Sequence, residues 1–334
     1  MPLKHPVAAL LIGAALAQPA LADEVPGTFS VRLENDFIGD TDGHYTHGTR
    51  FEWVAGDATA GPEALRDALD FLFPFGDLSG GRIGFALGQN IYTAEDTSTA
   101  DLVENDRPYA GWLYVGASLS DETPLGPGRR FSNLTTVELD LGIVGPDAYG
   151  KQVQNGYHSL AGFDKAHGWS HQLKNEPAAS LIMSRTWRSA PLDLGPLSAD
   201  FLPAVDGSVG NVTVHGGGGA LFRIGQGLDI DYGPARNPPF YSPATIANPG
   251  RDFAWYVFAG ADGRVVAHNI FLDGNTFADS HSVDRKWLVG DLRFGAAILV
   301  SGVKIEFSET IRSKEFTEQD DPDRFATLTL SARF

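Results

Sequence analysis

From residue 23 onward the chain alternates apolar and polar side chains. Phe29, Val31 and Leu33 share one parity, while Arg32 and Glu34 take the other. A period of two is expected of β-strands, and the helical period is rare here. The pattern predicts about twelve strands. They lie near residues 29–34, 48–55, 82–92, 111–119, 131–142, 178–189, 199–206, 211–224, 253–267, 286–300, 303–313 and 325–334.

Strand length and charge distinguish two β architectures. The polar parity carries full charges in several segments, as in Arg50 and Glu52 beside Phe51 and Trp53. A water-soluble sandwich has the same alternation, but segments of about 9 to 16 residues exceed its usual strand length of about 5 to 6. They suit tilted membrane strands of about 9 to 11 residues with overhangs. No run of about 18 apolar residues occurs, so we expect any bilayer crossing to be made by strands.

The last strand and the aromatic residues favour a barrel. Leu328, Leu330 and Ala332 share a face with the final Phe334, which resembles the insertion signal of bacterial outer-membrane barrels. Aromatic residues near strand ends fit interfacial girdles: Trp53, Tyr92, Trp112, Tyr114, Trp187 and Trp255. The predicted fold is all-β, a closed antiparallel up-and-down transmembrane β-barrel of about twelve strands with short helices in its connections.

The N-terminus predicts the compartment, and the net charge limits the possible partners. Lys4 and His5 precede an apolar stretch at residues 7–17 and a small-residue cleavage site at 20–22. We therefore predict a signal peptide over residues 1–22 and one barrel domain over residues 23–334. The 25 Lys and Arg against 42 Asp and Glu give a net charge of −17, which argues against a nucleic-acid partner. The chain has no Cys, so thiol nucleophiles and disulfides are excluded.

The order of the strands predicts which connections face outward. With both termini in the periplasm, links after odd-numbered strands are extracellular. We place in this set residues 35–47, 93–110, 143–177, a turn near 207–210, 268–285 and a Gly-containing turn near 301–302. The periplasmic links include residues 56–81, where residues 61–69 predict a short amphipathic helix, and residues 225–252.

Polar residues cluster in the first three extracellular links, and therefore on one rim. The clusters are Glu34-Asn35-Asp36 with Tyr45-Thr46-His47-Gly48, then Asn105-Asp106-Arg107-Pro108-Tyr109-Ala110-Gly111, then Gly145-Pro146-Asp147 through His158 to Asp164. Asn35 continues the lipid-facing parity of Leu33, where an amide beside a carboxylate is costly unless it binds something. The alternative interpretation of Asn35 and Asp36 is an ordinary turn pair.

The third link predicts a short helix over residues 151–160. Spacings of three and four place Gln152, Asn155 and His158 or Ser159 on one face. Gly162 is expected to end this helix and to let the carboxylate of Asp164 turn back. His167 and His171 have the spacing of a metal pair, but they lack the H-E-x-x-H frame that would support one.

These motifs together resemble the lipid A 3'-O-deacylase family of Gram-negative outer-membrane proteins. The resemblance covers residue 28 to the C-terminus and is most specific from Gly145 to His158. The matching residues are Glu34-Asn35-Asp36, Tyr45-Thr46 with Gly48, Asp106-Arg107-Pro108-Tyr109-Ala110-Gly111-Trp112, and Gly145-Pro146-Asp147-Ala148 with Gln154-Asn155 and His158. It implies a twelve-stranded barrel with a site between the wall and the extracellular loops, facing the outer leaflet.

The resemblance also implies an activity, a cofactor and a set of site residues. The implied reaction is calcium-dependent hydrolysis of the ester that carries the 3'-linked acyloxyacyl chain of lipid A. By its match, His158 is the general base, and Asn35, Asp36 and Thr46 complete the site. Asp164 matches an acidic position that helps to hold the cation. The implied partner is lipid A or lipopolysaccharide in the outer leaflet, and we expect a monomer.

Elementary chemistry is consistent with these roles. Ester hydrolysis needs an activated water and a positive centre for the oxyanion. Without Cys or a G-x-S-x-G elbow, a thiol or serine nucleophile has little support. An imidazole with an ordinary pKa near 6.5 suits water activation at neutral pH. Calcium prefers oxygen ligands, which Asp36 and Asp164 offer, although magnesium accepts them too.

Two other functions remain open on the sequence alone. The family site can include a lysine in the second extracellular loop, whereas residues 93–105 contain neither Lys nor Arg. A phospholipase that acts on glycerophospholipid with the same chemistry is therefore an alternative. A non-enzymatic pore or structural barrel is the other, although twelve strands leave a narrow lumen once Arg32, Arg50 and Arg223 fill it.

Overall fold

The alternating segments form one antiparallel sheet. The computed structural model describes residues 27–36, 44–127, 130–236 and 250–334; the predicted signal peptide lies outside them. The sheet has thirteen strands, of which twelve form the barrel and one is the two-residue Leu192–Asp193. The barrel strands are β1 Thr28–Asn35, β2 His44–Val54, β3 Arg82–Thr93, β4 Ala110–Thr123, β5 Phe131–Val144, β6 Glu176–Ser189, β7 Ser198–Gly210, β8 Thr213–Gln226, β9 Phe253–Asn269, β10 Leu288–Val300, β11 Val303–Arg312 and β12 Asp323–Arg333.

Two pairings close the sheet into a barrel. β1 pairs with β12 from Thr28 opposite Arg333 to Asn35 opposite Ala326. β6 pairs with β7 over residues 180–186 and 204–210. Each barrel strand thus has two neighbours, so its backbone hydrogen bonds are satisfied within the sheet. The predicted closed barrel is confirmed.

Charged side chains fill the lumen, as the alternation predicts. Arg32, Arg50 and Arg223 are almost fully buried. Arg50 lies 2.8 Å from Glu138 and Arg223 lies 2.6 Å from Asp200. Charges with this little solvent persist only when they are paired and hydrogen-bonded, so the polar parity forms a connected ionic interior.

The long connection after β8 contributes to this interior. Residues 228–236 enter the barrel from the rim that carries the chain termini, which we call the terminal rim. Asp231 accepts hydrogen bonds from Lys304 Nζ (2.9 Å) and Tyr256 Oη (2.8 Å) and forms an ion pair with Arg223. Arg236 continues the network to Asp262.

Short helices occupy the connections. They are α1 Glu63–Phe71, α2 Gly150–Ala161 and α3 Ile270–Asp273, with 3-10 turns at Pro146–Ala148, Gly168–His171 and Leu228–Ile230. α1 and α2 match the two helices predicted from the sequence. Among the described residues, none of the helices is long and apolar enough to cross a membrane.

Three of the six aromatic residues predicted to lie at the membrane interface face the lumen instead. Tyr92, Trp112 and Tyr114 point into the lumen, where Trp112 stacks on Tyr114 with ring centroids 4.2 Å apart. Tyr92 stacks on Phe271 of α3 at 4.0 Å. These rings seal the barrel near the rim away from the termini, which we call the distal rim. Because aromatic rings are equally suited to a packed interior and to a membrane interface, composition alone does not separate the two.

Two turns also differ from the prediction. Residues 207–210 belong to β7, and the chain turns at 211–212 instead; Gly207 continues the ladder opposite Met183 and Gly216. The turn at 301–302 follows the tenth strand and lies at the terminal rim, where Arg333 N donates to Gly302 O (3.1 Å). It therefore belongs with the periplasmic links, not the extracellular ones.

Candidate functional site

The end of β1 presents an amide and a carboxylate at the distal rim. Asn35 pairs with His47 of β2 and lies half-buried on the outward parity, as predicted. Its Nδ2 donates to the main-chain oxygen of Thr46 at 2.9 Å. Asp36 follows directly and is 3% exposed. The sequence-predicted residues 35, 36 and 46 thus lie together at one corner of the rim.

A β-bulge in β2 determines how Thr46 is presented. The ladder to β3 shifts between Tyr45 and His47, so that Thr46 is the extra residue. Tyr45 turns inward and donates to Glu34, whereas Thr46 Oγ1 lies 2.7 Å from Thr93 Oγ1. The bulge leaves the Thr46 carbonyl available to Asn35 instead of to a regular ladder partner.

α2 lies against the outside of the barrel wall, beside this corner. Tyr157 stacks on His47, which faces outward opposite Asn35, with ring centroids 6.5 Å apart. Gln89 of β3 donates to Ala148 O (2.6 Å) just before the helix. A Cβ on Gly150 would lie 2.7 Å from the Trp169 ring, so a glycine is needed for this close approach.

His158 is held by the backbone that follows α2. Its Nδ1 bonds the main-chain oxygen of Asp164. A carbonyl oxygen only accepts, so Nδ1 carries the proton and Nε2 has the free lone pair. Gly162 ends the helix at φ +79°, a conformation that favours glycine, and returns the chain towards the imidazole. The chain turns back after Gly162, but the predicted return of the Asp164 carboxylate is wrong: the contact with His158 is made by the main-chain oxygen, and Asp164 is exposed.

Asn155 fixes the same returning segment at a second point. Its Oδ1 accepts from Ala166 N at 3.0 Å, and its Nδ2 donates to Ala166 O at 3.3 Å. Gln154 directly precedes Asn155, and its Oε1 accepts from Trp169 Nε1 at 2.9 Å. Two adjacent amides of α2 therefore determine where residues 164–169 run, and with them the position of the His158 ring.

The oxygen donors at this corner suit a hard cation. Asp36 offers a buried carboxylate, and the Asn35 and Thr46 oxygens lie beside it, which is the ligand chemistry that calcium prefers. Within the described ranges, no group of three or more His, Cys, Asp or Glu side chains is arranged to hold a metal ion. His167 and His171 are exposed. A cation here would thus depend on few carboxylates, with Asp36 as the buried one.

His44 and Asp323, which the sequence analysis did not single out, connect the rim loops with Asp106. His44 Nδ1 lies 2.6 Å from Asp323 and its Nε2 lies 3.4 Å from Asp106. Burial would raise the pKa of the Asp106 carboxyl, but the hydrogen bond and charge of His44 lower it overall. Three connections meet at this imidazole. Its partners lie far away in sequence, so no local spacing could have revealed them.

Comparison with known proteins assigns the chain to a family. The chain matches the family of outer membrane protein LpxR over residues 7–334. The chain belongs to the LpxR family. Among solved structures, LpxR from Salmonella typhimurium is similar with a TM-score of 0.73 and 21% identity, covering 92% of this chain and 100% of that chain. The LpxR family assignment and the closed barrel make this chain an integral outer-membrane protein.

Other barrels share less with this LpxR family member. The KdgM porin has a TM-score of 0.38 and 7% identity, covering 92% of this chain and 99% of that chain. The β domain of the Bordetella autotransporter BrkA has a TM-score of 0.44 and 11% identity, covering 93% and 99%. These scores add nothing to the assignment. No curated protein sequence matches the chain.

Proposed function

We propose that this LpxR family member is an outer-membrane esterase that removes the 3'-linked acyloxyacyl chain from lipid A. The observation that carries the proposal is the His158 hydrogen bond to Asp164 O. It makes Nε2 the basic nitrogen of an imidazole on α2, the helix whose Tyr157 packs on the outer face of the barrel wall. A site on that face of an outer-membrane barrel has direct access to lipid in the leaflet.

In the proposed reaction, His158 Nε2 takes a proton from a water molecule as the water oxygen attacks the ester carbonyl carbon. The new C–O bond forms a tetrahedral oxyanion, which collapses by breaking the bond to the 3' oxygen of the sugar. The imidazolium then returns its proton to that leaving oxygen. Asp164 O stabilises the imidazolium through Nδ1–H. The Asn35 amide, held by Thr46 O, is the group we assign to orient the water or the oxyanion.

Calcium is the cation we propose at this corner, with Asp36 and Asp164 as the carboxylates that would hold it. When bound, it would supply a positive charge that polarises the ester carbonyl. The role of Asp36 rests on its burial at the end of β1, since a carboxylate with so little solvent gains from a cationic partner.

The decisive test is mass spectrometry of lipid A and of phospholipids from cells that express the chain. We expect lipid A to lose the mass of the 3'-acyloxyacyl chain, with no change in cells that express His158→Ala. Intact lipid A with accumulated lysophospholipid would contradict the proposal and support the phospholipase alternative.

One feature of the second extracellular loop favours the phospholipase alternative. The second extracellular loop has a single cation, Arg107, which is buried and lies 3.2 Å from Glu315. It is therefore engaged within the rim and not presented to a substrate phosphate. The pore alternative has less support, because paired charges and residues 228–236 occupy the lumen.

Removal of divalent cations tests the calcium proposal. We expect EGTA to abolish acyl release and added Ca²⁺ to restore it. Asp36→Asn keeps the shape of the side chain but loses its charge, so it should raise the Ca²⁺ concentration needed for half-maximal rate. Glu95→Gln, on an exposed loop of the same rim, serves as the control. Full activity of Asp36→Asn in EGTA would refute the assignment.

Asn155 tests the positioning of the base. Asn155→Ala removes both bonds to Ala166 and frees the segment that carries the Asp164 carbonyl. We expect acyl release to slow by about tenfold to a hundredfold, with barrel folding unchanged because α2 lies outside the wall. Ser159→Ala is the matched control: its exposed hydroxyl donates to Asn155 O at 2.8 Å. Equal rates for the two variants would contradict the positioning role.

A further inference from the structure

A second lipid-facing feature lies on another part of the wall, where α1 and the chain after it pack. Leu69 of α1 is buried against the outward side chains Leu119 of β4 and Val137 of β5. Phe73 joins the same cluster, whereas Phe71 and Phe75 remain exposed. The periplasmic connection therefore folds back over the outside of the barrel and places aromatic rings beside β6.

Between this connection and the wall runs an apolar groove of about 480 Å³. Phe73 and Phe75 form one side, Leu181 and Met183 of β6 form the floor, and Val209 of β7 lies on the other side. Gly207, opposite Met183, leaves the groove open where a larger side chain would narrow it. The shape is a channel along the strands, open towards the membrane.

One arginine lies in this groove, whose lining also includes Asp206 and His215, paired with each other at 2.9 Å. Arg185 is on the outward parity of β6, and its Nε donates to Thr135 Oγ1 at 2.8 Å. Its guanidinium carbon lies 5.9 Å from the Phe73 ring. Within the part of the chain that the structure describes, no carboxylate forms an ion pair with Arg185. Its terminal nitrogens are therefore available to an anion.

The groove has a polar end and an apolar end, in the same order as the headgroup and acyl chain of a phospholipid. Arg185 and Trp187 are close to the terminal rim, where β6 ends at Ser189. Met183 and Leu181 follow in the direction of the membrane interior. A cation and an indole at the interface with apolar side chains beyond them is the order of headgroup and acyl chain in the periplasmic leaflet.

We propose that this groove binds one glycerophospholipid of the periplasmic leaflet, with its phosphodiester on Arg185 and an acyl chain along Met183 and Leu181. Charge complementarity selects this occupant, because a guanidinium on the lipid face gains most from a phosphate oxygen. The site lies on β6 and β7, whereas the candidate catalytic residues lie at the distal rim on β1, β2 and α2. The inference therefore does not depend on the proposed esterase activity.

Native mass spectrometry of the full-length protein tests this site. The protein is delipidated in a mild detergent and titrated with phosphatidylglycerol, and the fraction that retains one lipid is measured. We expect one tightly retained lipid, and about tenfold weaker retention in Arg185→Gln, since a charge-assisted hydrogen bond is lost. Met183→Trp should reduce retention independently by filling the groove.

Arg324→Gln is the matched control, because Arg324 is an exposed arginine already paired with Glu309. Heat modifiability on gels verifies that each variant is folded. Equal retention by wild type, Arg185→Gln and Arg324→Gln would overturn the proposal, as would equal losses in both arginine variants. A retained mass that matches lipid A instead of the added phospholipid would also overturn it.

Discussion

His158→Ala is expected to lower the rate of acyl release from lipid A by about 100- to 10,000-fold, the usual contribution of a general base. The substitution removes Nε2, and among the described residues no other imidazole is linked to Asp164 O. The barrel should be unaffected, because His158 lies on a helix outside the wall. Released fatty acid, measured by mass spectrometry with purified protein and lipid A in detergent, gives the rate.

His171→Ala is the control for this experiment. His171 is an exposed histidine in the same connection and should be dispensable. Heat modifiability should be the same for wild type and both variants. If His158→Ala releases acyl chains at the wild-type rate, the esterase mechanism fails, while the family assignment and the barrel are unaffected.

Asp231→Ala is expected to destabilise the barrel by about 3 to 5 kcal/mol, because it removes a buried carboxylate that two buried cations share. Asp231 is 1% exposed and is shared by Arg223, Lys304 and Tyr256. Arg223 keeps Asp200, but Lys304 keeps only Glu306, at 3.3 Å. Urea unfolding in lipid vesicles, followed by tryptophan fluorescence, measures the change in free energy.

Asp229→Ala, in the 3-10 turn directly before Asp231, provides the comparison. Its ion pair with Arg251 is about half exposed, with 44% and 40% of the two side chains accessible. Solvent screens such pairs, so the loss should be about 1 kcal/mol or less. Similar free-energy losses for the two variants would show that the interior network does not stabilise the barrel.

The interior network also explains why the lumen should not conduct. Its charges are neutralised in place by residues from β2, β5, β8 and β11 and by the connection after β8. The sequence predicted the charges on the inward parity, but not that residues 228–236 would join them. Those residues carry no alternation that would assign them to the wall, and their partners are over 70 residues away in the case of Asp231 and Lys304.

The sequence predicted which residues form the candidate site but not the contacts between them. Parity placed Asn35 on the outer face, and spacing predicted α2 with His158 on it. The bond from His158 runs to a main-chain oxygen, which has no signature in the sequence. The contact of Tyr157 with His47 joins α2 to the outer side of β2 and depends on how α2 packs.

The sequence by itself therefore determined the strands, their parity, the charged interior and helices α1 and α2. The reason is that a period of two and a helical period both depend on residues that are close together in the chain. The tertiary structure alone decided which aromatic rings face the lumen, where residues 228–236 and α1 pack, and how His158 is oriented. Those outcomes depend on contacts between segments far apart in the chain, whose free energies arise only after the barrel has closed and brought the segments together.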